Sequence, residues 1–359
     1  MRQRARLLTA RGRWFDPTII PLSIDRLPAV DTGESIEAAF RASRGMENMA
    51  NFVEYGSGFS IKAADGVRLA LHCVAAKVPR AGAGEVLLTH GTFSNSNSCS
   101  GLAGCLAARG WRCWVLDWRG HGGSGEAPRQ TTLDSVARLD VPAALEAIYE
   151  RAGPVPVFWI GHSGGGLIGA MWAARNIEAA RNRLRGLVMI GSQASCAGTG
   201  RRNLFAIRLI DLLISVIRSA PGHYLGMGPE SENPRLMRQW CRWNMEGNFR
   251  GGDGFDYYAA LKNLELPVLA LCGAGDNFIA PEAGCRKLAY GFSGPDIEFH
   301  LCGIETGFTE NYSHDRLVLS KPASREIWPM VARWMEKRQN GGQQVDVGLE
   351  TDPVQSDKT

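Results

Sequence analysis

Apolar and polar positions alternate through residues 59–75 (FSIKAADGVRLALHCVA) on both sides of Asp65-Gly66. That dipeptide favours the positive φ angles of a tight turn, so the stretch is predicted to be a β-hairpin. Beyond it the period changes. Short apolar runs (EVLLT, WRCWVLDW, VPVFWI) alternate with helix-length stretches near 101–109 and 133–151. The alternation resumes with a helix after Ser163, the run LRGLVMI, and later LPVLALC, DIEFHLC and a last helix near 323–337. Helix-length connections between buried strands predict a mostly parallel sheet with crossover helices, an α/β fold.

Between 191 and 264 the strand pattern stops and helical periodicity replaces it, which predicts a cap inserted into the sheet domain. The expected organisation is an N-terminal extension over 1–57, a catalytic domain built from 58–190 and 265–338, a helical cap over 191–264, and a polar tail over 339–359. The tail has too little apolar content to offset the entropy of ordering it, so disorder is expected there. Within the cap, residues 204–218 (LFAIRLIDLLISVIR) carry Arg208, Asp211, Ser215 and Arg218 as one narrow polar stripe, and the rest of the helix is apolar. Such a face reads first as packing against the body. Its functional alternative is a roof over an acyl-binding pocket or a contact with lipid, with Leu212 and Leu213 as inward-facing substrate-binding candidates.

Composition removes several function classes. The 359 residues carry 40 basic and 36 acidic side chains, a net +4, without the clustered Lys and Arg of a nucleic-acid surface. Nine scattered cysteines with no Cys-x-x-Cys pair fit neither a disulfide framework nor a zinc site, and imply a reducing compartment. The basic N-terminus is followed by no apolar run of signal-peptide length, and no stretch approaches a transmembrane span of ~20 apolar residues. A cytoplasmic protein acting on a small molecule is the expectation; no motif specifies an oligomeric state.

The most specific feature is Gly161-His162-Ser163-Gly164-Gly165, which lies between the apolar run VPVFWI and the helical stretch LIGAMWAARN. Strand, sharp turn and helix in that order project a serine hydroxyl above the sheet, where the helix N-terminus favours developing negative charge. A serine is a poor nucleophile without a base, and the base needs an orienting carboxylate. Asp276 follows the run LPVLALC, and His314 lies in NYSHDRLVLS before the last helix, so nucleophile, acid and base come in that chain order. His300, in the alternating run DIEFHLC, is expected to be a strand residue instead. The oxyanion of an acyl transfer needs two preorganised amides, for which Gly164 and Thr92 are the candidates. Phe93 and His162 flank them and are expected to touch substrate.

Gly120-x-Gly122-x-x-Gly125 matches a dinucleotide fingerprint in form. No helix opens at its third glycine, because Glu126-Ala127-Pro128 reads as loop, so a nucleotide site is not expected and His121 reads as a loop-ordering residue.

The His90-Gly91 turn, the loop from Asp117 to Ser124, the elbow at Ser163 and the Gly273-Ala274-Gly275-Asp276 setting together resemble the α/β-hydrolase superfamily over roughly residues 60–338. Leu225-Gly226-Met227-Gly228 followed by Arg238-Gln239-Trp240-Cys241-Arg242-Trp243 is similar to a group of bacterial predicted hydrolases of unassigned substrate. One departure is that the family usually writes Gly-His at the catalytic histidine, whereas this chain has Ser313-His314. The resemblance implies an α/β-hydrolase fold with a helical cap and a carboxylesterase-like serine hydrolase. It would act on an apolar acyl ester without metal or organic cofactor. An acyltransferase using the same triad is the chemical alternative, and a non-catalytic binding protein the remaining one.

Overall fold

The computed structural model describes residues 55–78, 84–217, 219–225 and 227–340. Of the extension expected over 1–57, residues 1–54 lie outside the described residues, as do residues 341–359 of the tail expected over 339–359; Gln339 and Asn340 instead end the last helix. The hairpin about Asp65-Gly66 forms as β1 (Ser57–Lys62) and β2 (Arg68–Val74), paired antiparallel with Ile61 opposite Leu69. Gly66 makes the turn at φ 84°.

The apolar runs become β3 (Glu85–Thr89), β4 (Arg112–Asp117), β5 (Val157–His162), β6 (Leu184–Ile190), β9 (Val268–Gly273) and β10 (Ile297–Cys302). The sheet order is β1-β2-β4-β3-β5-β6-β9-β10, and every neighbouring pair from β4 onward is parallel. A parallel sheet has helices on both faces, and the two faces of β5 show it: Val157 and Trp159 enter one apolar cluster, Phe158 and Ile160 the other. The first cluster packs against α2 (Val141–Ala152) and α3 (Gly164–Arg175), the second against α1 (Asn97–Ala107) and the long C-terminal helix α9 (Lys321–Asn340).

The chain leaves β3 for β4 on one side and returns to β5 on the other. This topological switch opens a crevice at the C-terminal ends of β3 and β5, the place where such sheets bind ligands. A short α4 (Ile177–Arg183) leads into β6. Between β6 and β9 the chain is largely helical, with α5 (Arg201–Val216), α6 (Pro234–Glu246) and α7 (Tyr257–Leu261). A two-residue ladder pairs β7 (Ala220–Pro221) with β8 (Ser231–Glu232). The start of α6 follows from its sequence: the Asn233 side chain accepts the Arg235 amide and Pro234 occupies the first turn. Beyond β9 runs α8 (Glu282–Ala289), on the way to the edge strand β10.

Helix α3 sits closer to the sheet than any side chain would permit. A Cβ on Gly161 would stand 2.2 Å from the Gly165 carbonyl carbon, and one on Gly165 would stand 2.5 Å from the carbonyl oxygens of Thr89 and His90. Both clashes are with backbone, which cannot rotate away. Gly165→Ala is therefore expected to destabilise the fold by at least about 3 kcal/mol, the upper range for overpacking. Urea unfolding measures this, and an unchanged midpoint would mean that the contact is not close in solution.

Candidate active site

Ser163 lies in the turn between β5 and α3 at φ 52°, ψ −119°, a conformation that costs a non-glycine residue of order 1–3 kcal/mol. Neighbours hold it there. Its amide donates to the Ile190 carbonyl at 2.8 Å, and its carbonyl accepts the Ser192 hydroxyl at 2.8 Å. Among the described residues the one other non-glycine with positive φ is Phe93, at 60°, in the loop leaving β3. The two strained residues bracket the candidate oxyanion site. A Cβ on Gly164 would lie 3.6 Å from the Thr92 nitrogen, which places those two backbones side by side. Neither amide donates to another group among the described residues.

The loop after β9 carries Asp276, buried, whose carboxylate accepts the Ile279 and Ala280 amides at 3.0 Å each. His314 Nδ1 lies 2.6 Å from Asp276 Oδ2, so the ring donates there and Nε2 is left without its proton. Burial opposes the charged form of both groups, but their mutual attraction outweighs it: the imidazole is held above the ordinary histidine value and the carboxyl below the usual carboxylate value. Gly191, at φ 59°, leaves room for the ring, since a Cβ there would be 3.3 Å from Nδ1.

The His162 ring lies against His314 with centroids 4.8 Å apart and planes tilted by 45°, and its Nε2–H donates to the His314 carbonyl at 3.2 Å. Burial, together with the adjacent imidazole, pushes its pKa down to about 4, so it is neutral at physiological pH. The donor atoms of His162, His314 and Asp315 come within 4.8 Å of one another, the one such grouping among the described residues. The bonds to Asp276 and to the His314 carbonyl already occupy a nitrogen on each ring.

Beneath the Thr92 loop, buried His90 bonds the Gly91 carbonyl through Nδ1 at 2.8 Å and accepts the Trp118 amide at Nε2 at 3.4 Å. Desolvation lowers its pKa to about 4. Asp117 accepts His72 Nε2 at 2.9 Å, the Ser96 amide at 2.6 Å and the Gly123 amide at 2.9 Å. Burial works against its charge, yet these donors and the nearby His90 hold its pKa near 2.

The segment between β6 and β9 grips the same loop. The Glu230 amide donates to the Phe93 carbonyl at 3.0 Å, and the Phe93 amide donates to Glu232 at 3.4 Å. Glu232 also faces His121 Nε2 at 3.2 Å, where its charge outweighs desolvation and raises the imidazole pKa. His121 thus orders a loop, as its position suggested. Glu230 and Glu232 escape sequence reasoning because their partner at Phe93 is more than a hundred residues away and no local period marks them.

The four residues expected to touch substrate are placed as follows. Phe93 is 2 % exposed and packs in the main core, so its backbone shapes the site while its ring does not line it. His162 is turned to the His314 carbonyl instead of open space. Leu212 and Leu213 are 63 % and 56 % exposed, on the side of α5 opposite buried Ile207 and Ile214. Helical period identified a broad apolar face but could not say which part of it turns inward.

Removing one partner of a buried carboxylate–imidazole pair leaves an uncompensated group, so Glu232→Ala is expected to cost about 3 kcal/mol. Because the folded pKa of His121 is raised, the pair's contribution is full below the unfolded pKa and lost as pH rises through the folded one. Glu232→Gln should flatten that dependence. Melting temperatures across pH 5 to 9 read both effects, and parallel curves for wild type and Glu232→Gln would rule out the ion pair.

Residues 85–211 match the sequence profile of the alpha/beta hydrolase fold family. The chain is 22% identical to the poly(3-hydroxyalkanoate) polymerase subunit PhaC of Allochromatium vinosum, over 88% of this chain and 99% of that one. A stretch of 99 residues is 31% identical to the PhaC subunit of Haloarcula marismortui, covering 27% of this chain and only 18% of that relative's length. A solved structure of a thermophilic esterase from Thermogutta terrifontis superposes with a TM-score of 0.54 at 17% identity, over 79% of this chain and 100% of that one. The mostly parallel sheet, the strained serine elbow at its topological switch and these likenesses together show that the chain has the α/β-hydrolase fold.

Proposed function

We propose that the chain is a serine hydrolase that cleaves a carboxylic ester through an acyl-enzyme on Ser163. The observation that carries this reading is the 2.6 Å bond from His314 Nδ1 to Asp276, beside a strained serine and two unengaged amides. With Nδ1–H committed to the carboxylate, Nε2 is the basic nitrogen. It takes the Ser163 proton as Oγ bonds to the carbonyl carbon. The carbonyl electron pair moves onto oxygen, opposite the Gly164 and Thr92 amides and the N-terminus of α3. Collapse breaks the ester C–O bond, and the leaving alkoxide takes the proton from Nε2. Water then repeats the sequence on the acyl-enzyme, giving the acid and free Ser163.

A second reading, acyl transfer to an alcohol or thiol, draws on the two relatives named poly(3-hydroxyalkanoate) polymerase subunits. Its first half-reaction is identical, and only the second nucleophile differs. Product partition separates the two: with an added alcohol, hydrolysis yields the free acid throughout, whereas transfer yields mainly the new ester.

Ser163→Ala should abolish fluorophosphonate labelling and lower ester turnover by at least about 10⁴-fold while the protein stays folded. A folded variant with full turnover would end the serine-hydrolase reading. His314→Ala should lose several orders of magnitude as well. His300, half-exposed on edge strand β10 and 3.7 Å from Glu298, should tolerate alanine with near-normal turnover and melting temperature. The opposite pattern would move the base to His300.

The pH profile is a further check. The base works unprotonated and its pKa is raised by Asp276, so kcat/KM should rise with pH through a midpoint above the ordinary histidine value of ~6.5. Asp276→Asn should lower both the midpoint and the plateau. A limb below that value in the wild type would contradict the pairing.

A further inference from the structure

The outer face of α5 is apolar and uncovered. Phe205, Leu212 and Val216 are 69 %, 63 % and 79 % exposed, and Leu209 and Leu213 fall on the same side. At 100° per residue these positions form one stripe, directly opposite Ile207 and Ile214, which anchor the helix to the body. An isolated exposed leucine needs no explanation, but a contiguous stripe of large side chains does.

The charges around the stripe are one-sided. Arg201 and Arg202 open the helix at its edges and Arg208 flanks it, all exposed. The neighbouring α6 presents Arg235, Arg238 and Arg242 at i, i+3 and i+7, so they share one exposed face. Against these stand Asp211, already bonded to Arg238 at 3.0 Å, Glu246 at the end of α6, and Asp134 and Asp253, which line the same cleft as the α6 arginines and are paired with Arg175. Arg201, Arg202, Arg208, Arg235 and Arg242 make no ion pair among the described residues. A second copy of the same surface would bring arginines against arginines, whereas an anionic surface would meet complementary charge. No helix among the described residues is long and apolar enough to cross a membrane. An apolar stripe with flanking arginines instead has the make-up of a helix lying in the plane of a bilayer interface.

We propose that α5 and the arginine face of α6 form a docking surface for an anionic lipid bilayer, with Phe205, Leu209, Leu212 and Val216 entering the acyl boundary and the arginines meeting lipid phosphates. Docking needs no chemistry at Ser163, so it stands independently of the ester reading.

The test is cosedimentation of the full chain with vesicles of phosphatidylcholine and phosphatidylglycerol in equal parts, against pure phosphatidylcholine. Binding to the anionic vesicles is expected to be at least about tenfold tighter and to weaken in high salt. Phe205→Glu with Leu209→Glu should lower it at least about tenfold, leaving melting temperature and turnover of a short soluble ester unchanged. Arg201→Glu with Arg202→Glu should erase the preference for anionic lipid, and Ser163→Ala should sediment like wild type. A wild-type chain that stays in the supernatant with both vesicles, or a Phe205→Glu/Leu209→Glu variant that sediments as well as wild type, overturns the proposal. So does a solution dimer that those two substitutions dissolve without any vesicle binding, which would assign the face to a second copy.

Discussion

The contact on which the site depends is the one made without side chains, where the backbone of α3 rests on the ends of β3 and β5 through Gly161 and Gly165. It brings the start of α3 to the sheet's C-terminal edge, so the chain must reverse within the residues around Ser163. The left-handed backbone at Ser163 is the geometric consequence. Separated by even one methyl group, strand and helix would relax the turn, and the Gly164 amide would no longer stand beside Thr92.

Strain of this kind persists only where surroundings over-determine it, and here the surroundings are polar. The Ser163 turn is tied to β6 through Ile190 and Ser192. The Phe93 turn is tied at its carbonyl by Glu230 and at its amide by Glu232, both contributed by the insertion. Buried Asp117 and Glu232 each meet several donors, which is the condition under which a carboxylate can sit inside a fold. The segment between β6 and β9 therefore braces the two strained turns through its β7–β8 arm and turns the apolar side of α5 outward.

Those two roles bear on how activity and specificity divide. The half-reaction that would load an acyl group on Ser163 draws on β3, β5, β9 and the loop before α9, elements of the sheet domain. In the proposed chemistry cleavage and transfer would share that machinery, so the choice between them would rest on what reaches the acyl group. One scaffold can host many chemistries for the same reason.

Much of this was legible in the sequence because it is local. Alternation about Asp65-Gly66, buried runs at strand length and the Gly-x-Ser-x-Gly turn each report on residues a few positions apart, and they determined the hairpin, the parallel sheet and the elbow. Chain order placed Asp276 and His314 at the same sheet edge, and the fold brings them to hydrogen-bonding distance. What tertiary structure alone decided is directional or distant. Period identifies an apolar face on α5 but carries no sign, so only packing showed that Ile207 and Ile214 turn inward while Leu212 and Leu213 turn out. The bond from His162 to the His314 carbonyl and the clamp of Glu232 on Phe93 join residues more than a hundred positions apart. No local pattern encodes a partner at that separation, because closing so long a loop is the work of the whole core.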